Sequence, residues 1–377
     1  MSRTTVLSVS DAAVADLRAR LRATRWPTPW PIQGWEAGTD TATLRRLVAH
    51  WADGYDWRVQ EARINELPSH VADLDGTPLH YLRFEGEIPE ALPLLMTNGW
   101  PSSFLELVGV AERLASPSRY GGAAADAFTV IVPSLPGFPL SPQRPELSAE
   151  VQTHDLWHRL MRDELGFVRY AAHGGDLGAG VTSRLAEAHP EELVGIHLLA
   201  VAPPAAFDED ELTSEERDHL AEVAEWQRSE GAYQRQQSTR PLTLAHGLAD
   251  SPVGLLSWML EKYRAWSDCG GDVSSRFDDD FLLTQASLYW FTETISTSFR
   301  PYYEYAQGLT TRVARVDVPT AVAVFPADLT HPPRAWVERT YRLERYTRMP
   351  RGGHFAAHEE PALLAQDITE FLRDRRR

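Results

Sequence analysis

Cysteine is almost missing from this chain: Cys269 stands alone among 377 residues, which excludes any intramolecular disulfide and fits a reducing compartment. Lysine is equally scarce. Lys262 is the single one, so the basic side chains are nearly all arginine, a bias that reads as a genomic coding preference of the kind a high-GC bacterium shows. Positive charge is outweighed as well. The formal net charge of −16 opposes the phosphates of nucleic acid and anionic lipid surfaces, so neither is an expected partner. The arginine cluster at the end, Arg373, Arg375, Arg376 and Arg377, reads as a solvated tail. No apolar run reaches the ~18 residues of a membrane helix, and MSRTTVLSVSDAAVADLRARL lacks the apolar core of a signal peptide. A cytoplasmic protein is expected.

Several catalytic signatures are absent too. There is no G-x-S-x-G elbow, which disfavours a serine esterase, and no G-x-G-x-x-G or other Gly-rich phosphate loop, so no nucleotide cofactor is implied. His154 and His158, like His354 and His358, are four apart but lack further clustered ligands, and no metal is expected.

What is present is a 43% hydrophobic chain with 12 tryptophans and 26 prolines, enough for a large aromatic core with rigid turns. Ser10 or Asp11 can cap a helix with Val14, Leu17 and Leu21 on one side. A second helical stretch runs from about Thr43 to Trp57, with Leu44, Leu47, Val48 and Trp51. These two helices suggest a separate N-terminal lobe over residues 1–78. From residue 79 short apolar runs alternate with amphipathic stretches: LHYLRF, PLLMT, FTVIVP, FVRYAAH, ELVGIHLLAV, TAVAVF and RYTRM. That alternation predicts a mostly parallel α/β sheet in two parts, 79–204 and 312–377. Between them, 205–311 reads as helices rich in aromatic residues, an inserted lid over the strand ends. Its acidic start, Asp208 to Glu211, reads as solvated.

The chemistry centres on AAHGGDLGAG. Gly174 and Gly178 lie two residues either side of Asp176, between an apolar strand and a helical stretch, as a sharp strand-turn-helix elbow requires. A carboxylate there attacks saturated carbon by displacement, and strained epoxides and alkyl halides are the suitable electrophiles. Asp328 and His354 follow at the ends of two later predicted strands, in the order nucleophile, acid, histidine. Hydrolysis of an alkyl ester needs such a histidine base and a carboxylate to hold its other nitrogen.

RLRATRWP, YDWRVQEARIN and LDGTPLHYLRF, followed by PSLPGF, GGDLG, DSPVGLLSWMLEKY, YWFTETI and GGHFAAHEEP, resemble the microsomal-type epoxide hydrolases and their soluble bacterial relatives over essentially the whole chain. The resemblance implies an α/β-hydrolase fold with a helical lid and an N-terminal extension. It also implies two lid tyrosines that hold the epoxide oxygen, here Tyr233 and Tyr302, the latter beside Tyr303. Backbone N–H groups of Trp100 and Leu177 would form an oxyanion hole, with a cis Trp100–Pro101 bond in the turn NGWP. Trp100, Leu177 and Phe355 would touch substrate. Three positions depart from the family: Asn98 replaces the turn's histidine, Leu177 the tryptophan that commonly follows the nucleophile, and Asp328 a frequent glutamate.

The expected enzyme therefore turns a bulky apolar or aryl epoxide into a vicinal diol through an ester on Asp176. It needs small-molecule epoxide and water, no cofactor, and is compatible with a homodimer. Relatives of this kind serve detoxification or natural-product assembly. A haloalkane dehalogenase is the nearest alternative, though Leu177 offers no ring N–H for halide. A non-catalytic binding protein of the same fold is the other.

Overall fold

The computed structural model describes residues 3–4, 6–74, 76–147 and 150–376. Arg377 of the terminal cluster lies outside them, as do residues 1, 2 and 5 of the N-terminal stretch.

Nine strands occur among the described residues: β1 (Arg3–Thr4), β2 (Ser69–Leu74), β3 (Thr77–Phe84), β4 (Leu92–Thr97), β5 (Phe128–Pro133), β6 (Tyr170–Gly174), β7 (Leu193–Leu198), β8 (Val316–Val324) and β9 (Tyr341–Arg348). They form one sheet in the order β1-β2-β3-β5-β4-β6-β7-β8-β9. Pairing is antiparallel from β1 through β3 to β5 and parallel from β5 to β9. Every residue of β5 and β6 is buried, because helices cover both faces, and strands so placed must be apolar on both sides.

The N-terminal helices are not a separate lobe. The helix Asp11–Arg22 is capped by Ser10, whose Oγ accepts the Ala13 N–H at 3.2 Å. The helix expected from about Thr43 to Trp57 runs Thr41–Asp53 and ends at Gly54, and a further helix, Trp57–Asn65, starts where that stretch ends, capped by Asp56. They pack on the inserted helices. Trp51 Nε1 donates to Ser287 Oγ at 2.9 Å, the Tyr55 hydroxyl lies 3.0 Å from Thr284 Oγ1, and Thr39 donates to the Ser257 carbonyl at 2.8 Å. Trp51 is buried, and an aromatic ring of this size withdraws roughly 150–250 Å² from water, worth several kcal/mol at about 25 cal/mol/Å². The extension also supplies β1 and β2 to the sheet, and β3 begins at Thr77.

Between β7 and β8 the described chain is helical: Ser214–Ser229, Ala232–Thr239, Pro241–Asp250, Pro252–Ala265, Asp279–Phe291 and Arg300–Ala306 are its longer pieces. The acidic run at its start forms an exposed turn of 3-10 helix, Glu209–Glu211, capped by Asp208. No helix among the described residues is long and apolar enough to cross a membrane.

Candidate active site

Strand register brings the chemistry together. Thr97 at the end of β4 is level with Gly174 at the end of β6, and Gly174 with Leu198 at the end of β7. Val324 of β8 pairs with Arg348 at the end of β9. The NGWP turn, Asp176, Asp328 and His354 all follow these ends, at the sheet edge where open α/β folds bind ligands.

Asp176 has φ 49° and ψ −125°, a conformation costly for a non-glycine residue by about 1–3 kcal/mol. The flanking glycines make the elbow sterically feasible. A Cβ on Gly174 would lie 2.3 Å from the Gly178 carbonyl oxygen, and one on Gly178 2.1 Å from that of Thr97. Trp100 N–H donates to Asp176 Oδ1 at 2.9 Å, in a turn whose Trp100–Pro101 bond is cis, as expected. Leu177 opens the helix Leu177–Ala188, so its N–H is among the first four, which have no acceptor within the helix.

His354 bridges the two acids. Its Nδ1 lies 2.7 Å from Asp328 Oδ1 and its Nε2 3.4 Å from Asp176 Oδ2. Leu329 N–H also donates to Asp328 Oδ1 at 2.7 Å, and the His354 N–H donates to the Trp266 carbonyl at 2.7 Å. Burial opposes charge on the ring, but the carboxylates of Asp328 and Asp176 outweigh it, and the His354 pKa stands well above the ordinary imidazole value. The shorter reach of an aspartate at position 328 therefore still closes the contact.

Tyr233 and Tyr302 come from different helices of the segment between β7 and β8, and their ring centroids are 6.0 Å apart. Tyr233 stacks on Trp100 at 5.4 Å, while Tyr302 meets Trp100 edge-on at 6.2 Å. Burial first, then the charge of Asp176, raises both phenol pKa values, so both hydroxyls remain donors at any working pH. The hydroxyls influence one another, yet that of Tyr302 makes no hydrogen bond of acceptable geometry. A buried, unpartnered hydroxyl costs about 1–3 kcal/mol and invites a functional explanation.

A cavity of about 530 Å³ opens between the strand ends and the helices inserted between β7 and β8, lined by Asp176, Asp328, His354, Tyr233, Tyr302 and Leu177, among others. Tyr302, rather than its neighbour Tyr303, faces it. Trp100 and Phe355, expected to touch substrate, instead line a small cleft of about 10 Å³ behind Asp176, shared with Asn98. Phe355 is covered because its ring stacks on Tyr263 at 4.4 Å. Asn98 is buried and donates from Nδ2 to the Gly99 carbonyl at 3.0 Å, bracing the turn.

Three supporting residues escaped the sequence reading. Trp266 lies edge-on to His354 at 5.2 Å. Lys262, the sole lysine, is buried over the Tyr233 ring at 5.0 Å and the Trp266 ring at 5.5 Å. Glu359 accepts the N–H groups of Asp268 at 2.8 Å and Phe355 at 3.1 Å, and burial pushes its pKa up to about 7. Lys262 and Glu359 lie in DSPVGLLSWMLEKY and GGHFAAHEEP, but no spacing there singles out either residue, and Trp266 lies in a loop with no pattern of its own. His158 does meet two possible metal ligands, His189 and Glu192, with His154 outside the group, and none of these lines the cavity.

The sheet, the elbow and the acid–histidine–acid array at its edge define an α/β-hydrolase-fold enzyme with a carboxylate in the elbow. Residues 2–107 match the family model described as epoxide hydrolase N terminus, and 92–238 match that of the alpha/beta hydrolase fold. A Stigmatella aurantiaca protein is 40% identical over 373 residues, covering 98% of this chain and 84% of its own length. Epoxide hydrolase 1 of Sus scrofa is 32% identical, covering 97% and 87%. The crystal structure of juvenile hormone epoxide hydrolase from Bombyx mori superposes with a TM-score of 0.88 at 28% identity, covering 100% of this chain and 95% of that one. The chain belongs to the microsomal-type epoxide hydrolase family and is an enzyme that hydrolyses epoxides. That membership decides against both the dehalogenase and the non-catalytic alternative.

Proposed function

We propose that the reaction runs through a covalent ester on Asp176, and that residues 205–311 act as the lid of its site. Oδ2 attacks an epoxide carbon in line, the ring C–O bond breaks, and the released oxygen takes a proton from Tyr233 or Tyr302 while the other hydroxyl holds it. His354, oriented by Asp328, then removes a proton from water, and the hydroxide adds to the ester carbonyl carbon. The N–H groups of Trp100 and Leu177 hold the tetrahedral oxyanion. Collapse expels the alcohol oxygen, which takes the proton from His354 to complete the diol; the proton that the added hydroxide left on the Asp176 carboxyl returns to the tyrosinate, so that the Asp176 carboxylate and both tyrosines are restored. The observation that carries this reading is His354 placed between Asp328 and Asp176, at 2.7 and 3.4 Å, in a cavity also lined by two protonated tyrosines.

Substitution of either tyrosine by phenylalanine should slow ester formation about 10- to 100-fold, since the partner still holds the oxygen; the double variant should lose about 10⁴-fold. Rapid-quench single turnovers with styrene oxide measure this. Full-rate ester formation in the double variant would remove the tyrosines from the mechanism.

The pH dependence follows from the charges. In the resting enzyme both acids hold His354 protonated above the usual imidazole range. Esterification neutralises Asp176 and removes one of the influences that raise the pKa, so the base becomes neutral at lower pH. Hydrolysis of the ester should therefore rise with pH through a pKa below the one His354 shows by NMR in the resting enzyme. Equal values in both states would contradict this coupling.

Leu177, Val181, Leu199, Val223 and Trp226 on the cavity wall favour an epoxide with a bulky apolar body.

A further inference from the structure

The cavity wall away from Asp176 is more basic than the protein around it. Arg144, Arg184, Arg300 and Arg312 line it, and beyond Asp176 and Asp328 its one lining carboxylate among the described residues is Glu304. The whole chain, by contrast, carries a net charge of −16. Glu304 is committed to Arg144 at 2.6 Å and Arg300 at 2.7 Å. Arg184 and Arg312 differ: neither forms an ion pair or a hydrogen bond with another described residue.

Arg184 lies on the helix that begins directly after Asp176, and Leu177, Gly180, Val181 and Arg184 mark the helical face turned to the cavity. Glu187, one turn on, is occupied by the N–H groups of Ala314 at 2.7 Å and Arg315 at 3.0 Å. Burial lowers the Arg184 pKa against the weaker raising influence of Tyr305, Tyr341 and Glu187, as expected of a half-buried guanidinium with no ion-pair partner in contact. Tyr305 lines the same part of the cavity, and Arg312 sits over its ring at 5.9 Å. A rise of 1.5 Å per residue puts Arg184 about 12 Å from Asp176 along the helix axis. One end of the cavity thus opens the ring, an apolar wall follows, and an uncompensated guanidinium stands beyond it.

We propose that the preferred substrate is an epoxide of an organic acid, whose carboxylate is received by Arg184 with Tyr305 and Arg312 beside it while Asp176 opens the ring at the other end of an apolar body. This rests on the epoxide-opening reading above. Guanidinium is well suited to the task because its planar fork binds a carboxylate through two parallel N–H···O bonds.

The test compares the epoxide of oleic acid, its methyl ester and styrene oxide in the wild-type enzyme and in Arg184→Leu and Arg184→Lys. The wild type should prefer the acid over the ester in kcat/KM by at least tenfold. Arg184→Leu should collapse that ratio, chiefly through KM, and Arg184→Lys should restore part of it. Equal wild-type kcat/KM for acid and ester, or an unchanged ratio in Arg184→Leu, would overturn the proposal. Calorimetry with decanoate and decanol provides a readout independent of turnover. Tighter binding of decanoate to the wild type, lost in Arg184→Leu, supports the anion site; equal binding of the two ligands overturns it. Absence of diol from all three epoxides would instead overturn the mechanism proposed above. Should Arg184→Leu fail to fold, the wild-type acid-to-ester ratio and decanoate binding still decide.

Discussion

Asp176→Ala should lower kcat by at least about 10⁴-fold while the protein remains folded. Neither of the other two carboxylates that line the cavity among the described residues can take over. Asp328 is held at Nδ1 of His354, on the far side of the ring from Asp176, and Glu304 is paired with two arginines. The tyrosines can polarise an epoxide but supply no nucleophile, so what survives is the slow attack of water in a polarising site. Alanine at φ 49° is no easier to accommodate than aspartate, so part of the elbow's strain persists. Thermal unfolding of the variant should therefore show a cooperative transition. A folded variant retaining more than a tenth of wild-type turnover would move the nucleophile elsewhere.

His354→Gln should have nearly as large an effect on turnover, about 10³- to 10⁴-fold, but a different kinetic form. Asp176 is still present, its Oδ1 still accepts the Trp100 N–H, and Tyr233 and Tyr302 still line the cavity. Ester formation should continue while hydrolysis stops for want of a base. The variant should consume about one equivalent of epoxide in a burst and then stall. Asp176→Ala should show no burst, which separates the two steps within one fold.

Much of this arrangement was readable from residue order. The apolar runs of β5 and β6 are legible because strands covered on both faces cannot alternate. Asp176 was legible because Gly174 and Gly178 are the glycines that permit backbone contact closer than any Cβ would allow. β2 was not. SHVADL is short and mixed in polarity, and its pairing with β3 is set by partners rather than by its own pattern. The N-terminal helices were found, but not their seat on the helices inserted between β7 and β8. Trp51 looks the same in a sequence whether its ring covers its own lobe or meets Ser287, more than two hundred residues away. Phe355 was misplaced for a related reason: adjacency to His354 says nothing about which way a ring points, and stacking on Tyr263 decided it. Arg184 lay in no motif and Lys262 stood in DSPVGLLSWMLEKY without a role, and their importance appears only once the cavity and the Tyr233 ring are next to them.

The ester on Asp176 is the central claim, and intact-mass spectrometry of His354→Gln after brief exposure to styrene oxide tests it most directly. The account predicts a gain of one epoxide mass, mapped by proteolysis to the peptide containing Asp176 and absent when Asp176 is alanine. An unmodified protein that has nevertheless formed diol, or an adduct on any other residue, would contradict it.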